Sequence, residues 1–193
     1  MRKFFNRLLR KIVKFNIYIY CKIVHRARIE GKENIPKEGA LIYCGNHESF
    51  LDPAIITATS PRDVRFLAKA ELWRFKFLAF FGKVFEEIPV TRDERDIGTV
   101  KTVLKALKNG ECIGIFPEGT RNGIAKGEQI KDGAAFFALR SGATVIPVGI
   151  TGNGKFTKVT LRYGKPIDLS GYGKDDLNKV TDIIMEKVLE LTK

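Results

Sequence analysis

The sequence predicts one α/β domain, with a largely parallel or mixed central sheet flanked by helices and a basic amphipathic helix in front of it. Three observations carry this. The chain has 193 residues, 44% hydrophobic and 29% charged, a globular composition long enough for one sizeable core. From residue 28 onwards, short β-branched and aromatic runs alternate with segments of helical period. Such alternation builds sheets of parallel strands with helices on their faces. The third observation is where the charge sits. Of 34 Lys and Arg, nine fall in residues 1–28 with no acid among them, so the remaining 25 face 22 acidic residues. The net charge of +12 therefore belongs mostly to the N-terminal segment.

That segment, "MRKFFNRLLRKIVKFNIYIYCKIVHRAR", is too often interrupted by charge to cross a membrane. Its longest uncharged run is "FNIYIYC", far short of the ~20 residues a span needs. It lacks the apolar region and small-residue cleavage site of a signal peptide. As a helix it places Phe5, Leu8, Leu9, Ile12, Phe15, Ile19 and Ile23 on one stripe, with Arg7, Arg10, Lys11 and Lys14 between them. Basic residues beside an apolar, aromatic stripe mark an element lying in a membrane interface. At about 1 kcal/mol per basic residue near an anionic leaflet, half that yield from the segment gives ~4 to 5 kcal/mol before any apolar insertion. Nucleic acid also attracts such charge, but it has little use for Phe4, Phe5, Leu8, Leu9, Ile12 and Val13. The expected partner is thus an anionic membrane surface and not nucleic acid. The alternative is a first helix packed on the domain with its basic face in water. Residues 1–27 form the expected membrane-association segment and 28–193 the α/β domain. Cys21, Cys44 and Cys112 are odd in number and contain no CxxC pair, so neither a zinc site nor a redox motif is indicated, and a reducing, cytoplasmic side is.

Within the domain, strands are expected at 40–45, 63–68, 83–90, 111–116, 144–150 and 158–164, with "ARIEG" as a further candidate. Helical periods fall at about 53–59, 70–81, 95–109, 131–141 and 174–192. "GKENIPKEG", "NGE" and "LSGYGK" are turn-rich joins. No repeat or second domain is visible. In such sheets, ligand chemistry collects where strands end and loops begin. Two polar clusters stand there: "NHESFLD" after 40–45 and "PEGTRN" after 111–116.

In the first cluster, Asp52 precedes Pro53, a residue suited to the first helical turn, so Asp52 is expected as an N-cap. That leaves His47 unexplained. A strand ending at Cys44–Gly45 puts His47 at the mouth of the sheet, and the intervening turn can fold Asp52 back onto the imidazole. A carboxylate on one ring nitrogen fixes the tautomer and leaves the other nitrogen as a base. The second cluster, "FPEGTRN", offers a carboxylate at Glu118, a backbone turn at Gly119 and a guanidinium at Arg121, which suits bidentate binding of phosphate.

Together these motifs resemble the glycerophospholipid acyltransferase family. His47 and Asp52 match its His-x4-Asp motif, Phe116 through Arg121 match its Phe-Pro-Glu-Gly-Thr-Arg motif, and "VIPVGI" with Pro147 matches its last apolar strand. Lys69 in "AKAEL" and Arg92 in "IPVTRD" match the intermediate region, where this chain departs by carrying Glu86 and Glu87. The resemblance runs from about residue 28 to 165. It implies transfer of a fatty acyl group from a thioester, on coenzyme A or acyl carrier protein, to the free hydroxyl of 1-acylglycerol-3-phosphate (lysophosphatidate). In it His47 is the base and Asp52 its orienting partner. Glu118 holds the glycerol backbone, Gly119 and Thr120 complete the substrate loop, and Arg121, Lys69 and Arg92 hold the phosphate. No metal or other cofactor is implied, and the acceptor could instead be glycerol 3-phosphate or another lysophospholipid.

Three rival readings attach to other residues. Cys44 near His47 could form a Cys–His nucleophile pair, against the commoner case of a buried strand thiol. "GITGNGKF" nearly spells a phosphate-binding loop, but Phe156 stands where a hydroxyl should ligate magnesium. A basic membrane- or nucleic-acid-binding module without catalysis explains the first 28 residues and neither polar cluster. The aromatic stretch "ELWRFKFLAFFGKVF" reads first as core, and otherwise as an acyl groove or a second membrane contact.

Overall fold

The computed structural model describes residues 2–91, 97–152 and 158–193, with the side chains of residues 2–5 set apart; Arg92 and Phe156 lie outside the described residues. The strands among them are β1 (Arg28–Glu30), β2 (Leu41–Gly45), β3 (Val64–Lys69), β4 (Ile88–Val90), β5 (Cys112–Ile115), β6 (Thr144–Thr151) and β7 (Thr160–Tyr163). They form one sheet in the order β1-β7-β6-β2-β5-β3-β4. Every neighbouring pair is parallel except β6 with β7. The expected mixed, largely parallel sheet is what forms.

Helices cover both faces: α1 (Arg2–Val24), α2 (Asp52–Thr59), α3 (Lys76–Phe85), α4 (Ile97–Lys108), α5 (Gly133–Ser141) and α6 (Leu177–Glu190). A strand buried on both faces reads as a continuous apolar run, and all five residues of β2 are buried. Leu41 and Tyr43 pack with Cys21, Ile55, Ile56, Val64 and Leu161 on one face. Ile42 and Cys44 pack with Leu107, Ala134, Ala138, Val180 and Ile184 on the other. Thus α1 and α2 lie on one side of the sheet, and α4, α5 and α6 on the other.

The stretch 70–90 departs from expectation. Its first part is a 3-10 turn (Ala70–Arg74), α3 runs on to Phe85, and only Ile88–Val90 is extended. The expected strand at 83–90 was a β-rich composition overridden by helical packing: Val84 and Phe85 are buried residues of the helix. Glu86 ends the helix in the left-handed conformation, φ 55°. Nor is this stretch chiefly core. Trp73 packs over Gly82, whereas Phe75, Phe77 and Phe80 are exposed. One face of α3 meets α1 and the 3-10 turn before it, and its other face is left open.

Helix α1 is amphipathic as expected, but it turns the other way from a basic face in water. Its apolar stripe, Leu8, Ile12, Phe15, Ile19 and Ile23, is exposed. Arg10 points inward, donating from Nε to the Val84 carbonyl and pairing with Glu86 at 2.5 Å and Asp63 at 3.7 Å. Lys14 Nζ donates to the Ser60 and Arg62 carbonyls (3.3 and 3.2 Å) and to Asp63 at 3.4 Å. The acidic departure at Glu86 is thereby explained as an anchor for α1. Towards its end α1 joins the domain core, with Cys21 2% exposed and Ile17 packed against the same cluster.

Candidate active site

The carboxyl ends of β2, β5, β3 and β4 lie along one edge of the sheet, because these strands are mutually parallel. From β2 the chain passes to α2 on one face, and from β5 to α5 on the other. Adjacent strands whose exits diverge leave a crevice between their loops, the usual ligand position in open α/β sheets. In the β2–β5 register Cys44 faces Ile115. Continuing it past the strand ends brings His47 alongside Glu118.

His47 Nδ1 lies 2.9 Å from Asp52 Oδ2. The same oxygen accepts the backbone N–H groups of Glu48 and Ser49, each at 2.8 Å. Asp52 is fully buried, and an ionised carboxylate can only accept. Nδ1 therefore carries the proton and donates it, which leaves the Nε2 lone pair free to act as a base. The expected N-cap role for Asp52 is corrected. Leu51 occupies the cap without a side-chain bond, Asp52 is the first helical residue with Pro53 after it, and its carboxylate folds back onto the loop. Three N–H donors converging on one oxygen outcompete the helix end for it.

Glu118 is 5% exposed. Its Oε1 accepts the His47 backbone N–H at 2.9 Å, and its Oε2 accepts that of Ile124 at 3.1 Å. The Asn122 N–H returns the link by donating to the His47 carbonyl at 2.6 Å. Gly119 has φ +66°, a left-handed backbone in the turn after Glu118 that glycine adopts without strain. Thr120 Oγ1 is buried with no hydrogen-bond partner. Arg121 is exposed, and so is Lys69 at the end of β3. Neither of these side chains has a hydrogen bond or ion pair among the described residues. Glu48 flanks the pair, and burial, followed by the charges of Asp52 and Glu118, pushes its carboxyl above the usual range.

Three positioning features were not singled out from sequence. Asn46 bonds both backbone groups of Ile150 at 2.8 Å, fixing the β2 exit against β6. Phe116 stacks on the His47 ring at 4.3 Å and 16°, and Phe66 stacks on Phe116 at 5.4 Å. Gly114, opposite Phe66 across the strands, leaves room for that stack, since a Cβ would meet the Phe66 ring at 2.2 Å. The "NH" dipeptide and the glycine inside an apolar strand were the available signals.

The rivals fare poorly. Cys44 is buried in the core on the far face, and burial drives its thiol well above the usual range, away from the reactive thiolate. Gly149, Ile150 and Thr151 belong to β6, so the first half of "GITGNGKF" is strand and not a loop. Among the described residues no group of three or more His, Cys, Asp or Glu could hold a metal ion.

Comparison with known proteins gives the family of the chain. The sequence profile of the family described as Acyltransferase matches residues 26–151, and the chain belongs to that family. It is 27% identical over 175 residues to a 1-acyl-sn-glycerol-3-phosphate acyltransferase of Bacillus subtilis, covering 85% of this chain and 87% of that one. A protein of the same name from Borreliella burgdorferi is 30% identical over 202 residues, covering 96% and 79%. The crystal structure of the 1-acyl-sn-glycerophosphate acyltransferase of Thermotoga maritima superimposes with a TM-score of 0.78 at 25% identity, over 99% of this chain and 83% of that one.

Proposed function

We propose that the chain transfers a fatty acyl group from a thioester to the free sn-2 hydroxyl of 1-acylglycerol-3-phosphate, giving phosphatidate. The observation that carries the reading is the His47–Asp52 pair with Nε2 free at the sheet edge. His47 Nε2 takes the hydroxyl proton as the acceptor oxygen attacks the thioester carbonyl. Asp52 stabilises the imidazolium so formed. The tetrahedral intermediate collapses, the C–S bond breaks, and the thiolate takes its proton from His47. No covalent acyl-enzyme is required, in keeping with the absence of a GxSxG turn from the sequence.

Glu118 acts first on the protein, holding the His47 backbone through Oε1, and presents its remaining lone pairs to the glycerol. Gly119 and Thr120 shape the turn, and the buried, unpartnered Thr120 hydroxyl is available to the acceptor. Arg121 and Lys69, with Arg92 beyond the end of β4, bind the phosphate as charge-assisted donors. The donor is an acyl thioester of coenzyme A or acyl carrier protein. Release of thiol from such a thioester, followed with a thiol reagent, should need lysophosphatidate. Release at the same rate without it, or with glycerol 3-phosphate as the better acceptor, would reject the proposed acceptor.

Membrane association belongs to the same reading. No helix among the described residues is long and apolar enough to cross a membrane. The exposed stripe of α1 supports contact with one leaflet, where an amphiphilic acceptor can be used without extraction into water, and the free thiols of Cys21, Cys44 and Cys112 favour the reducing, cytoplasmic face.

A further inference from the structure

Between α1 and the turn that follows α2 lies an open groove of about 400 Å³ lined by Arg7, Lys11, Lys14, Pro61 and Asp63. The three cations stand at spacings of four and three, so they share one face of the helix. Asp63, the only acid in the lining, is occupied by Lys14 at 3.4 Å and Arg10 at 3.7 Å. Lys14 is held further by the Ser60 and Arg62 carbonyls. Arg7 and Lys11 have no bond or ion pair among the described residues. Like charges at this spacing repel. The fold therefore maintains a walled cationic groove with an unmet demand for an anion.

Its location restricts the anion. Leu8, Ile12 and Phe15, all exposed, each follow a groove residue by one position, a rotation of about 100° around the helix. When that apolar row enters a bilayer, the cationic row runs beside it at headgroup depth. We propose that the groove formed by Arg7, Lys11 and Lys14 against Pro61 and Asp63 binds the phosphate of an anionic phospholipid headgroup. The bound lipid would neutralise Arg7 and Lys11 and fix the rotation of α1 on the membrane. This rests on the membrane contact read above but is separable from it, since the apolar row supplies contact without the groove.

The test is vesicle co-sedimentation of the full chain with phosphatidylcholine vesicles, and with the same vesicles made equally anionic by phosphatidylglycerol or by oleate. The wild type should prefer phosphatidylglycerol over oleate at matched charge. Arg7→Gln with Lys11→Gln should remove that preference and lower binding to phosphatidylglycerol vesicles by about 20- to 30-fold, at roughly 1 kcal/mol for each basic residue. Lys101→Gln with Lys105→Gln removes the same charge from exposed positions of α4, on the opposite face of the sheet, and should leave the preference intact. Both double variants should melt like the wild type, as none of the four side chains is buried. Equal binding to the two anionic vesicles by the wild type, or a preference that survives in the Arg7 and Lys11 variant, would overturn the groove. So would its saturation by millimolar inorganic phosphate with no lipid preference, which would make it a free-phosphate site. Failure to bind vesicles of any composition would overturn the membrane contact along with it.

Discussion

At the scale of single residues, the chemistry depends on one ring nitrogen. Asp52 holds Nδ1 from a fully buried position, so the free nitrogen is the one facing away from the protein's own hydrogen bonds. His47→Ala should lower acyl transfer by roughly 10²- to 10⁴-fold, the usual yield of a positioned base, with an unchanged circular dichroism spectrum. Asp52→Asn should also lose most of its activity. In this case it should melt earlier as well, because the carboxylate closes the loop through Glu48 and Ser49 and does not merely cap a helix; a hydrogen bond to a charged group contributes about 1.5 to 3 kcal/mol. Full activity in Asp52→Asn would remove the pair from the mechanism. The Arg121 side chain has no partner among the described residues, and only its carbonyl is used, by Lys126 Nζ, so Arg121→Ala should act on substrate alone. The same magnitude predicts roughly a ten- to hundredfold loss of kcat/KM for lysophosphatidate, with the KM for the acyl donor nearly unchanged. An acceptor lacking its phosphate should be poor with both proteins and indifferent to the substitution.

At the scale of elements, two features of β5 and α1 decide whether those residues can work. The ring stack Phe66–Phe116–His47 rests on β5 at Gly114. Gly114→Ala introduces a methyl into the space of the Phe66 ring. Overpacking of this kind costs about 1 to 3 kcal/mol, and the displaced ring pushes on Phe116 and through it on the imidazole. A lower melting temperature together with a lower kcat is expected, and a fall in melting temperature at normal kcat would show that the stack does not steer His47. For α1, the residues that face outward are separable from those that hold it. Leu8→Ser with Phe15→Ser alters only the exposed row. Each large apolar side chain contributes about 1.5 to 3 kcal/mol when buried, so vesicle binding should fall more than tenfold with no change in melting temperature. Equal binding would transfer the contact to the exposed Phe75, Phe77 and Phe80 beside it.

At the scale of the whole molecule, α1 is both surface and core. Cys21 and Ile17 pack against Leu41, Tyr43 and Ile55 beneath the sheet, and Arg10 and Lys14 tie the helix to Val84, Glu86, Ser60, Arg62 and Asp63. Deleting residues 1–25 should therefore lower the melting temperature and expose apolar surface, measurable as dye binding, instead of giving a folded and merely soluble enzyme. A truncated chain that melts like the wild type would show that the domain is complete without the helix. The sequence by itself determined the alternation of strands and helices, because β-branched runs and the 3.6-residue period are local properties. It also determined the two polar clusters at strand ends, because His47, Asp52 and Glu118 through Arg121 each stand within a few residues of a strand. What tertiary structure alone decided are the relations between distant segments. The contact of Glu118 with the His47 backbone, the clamp of Asn46 on Ile150 and the Phe66 stack each join residues far apart in the chain. The sequence pointed the stripe of α1 outward, to a membrane interface, but not what holds the opposite side of the helix. A helical period shows that two faces differ; which face goes inward depends on what meets it, and here the sheet edge offers Asp63, Glu86 and open carbonyls, so Arg10 and Lys14 turn in and the apolar row is left facing out.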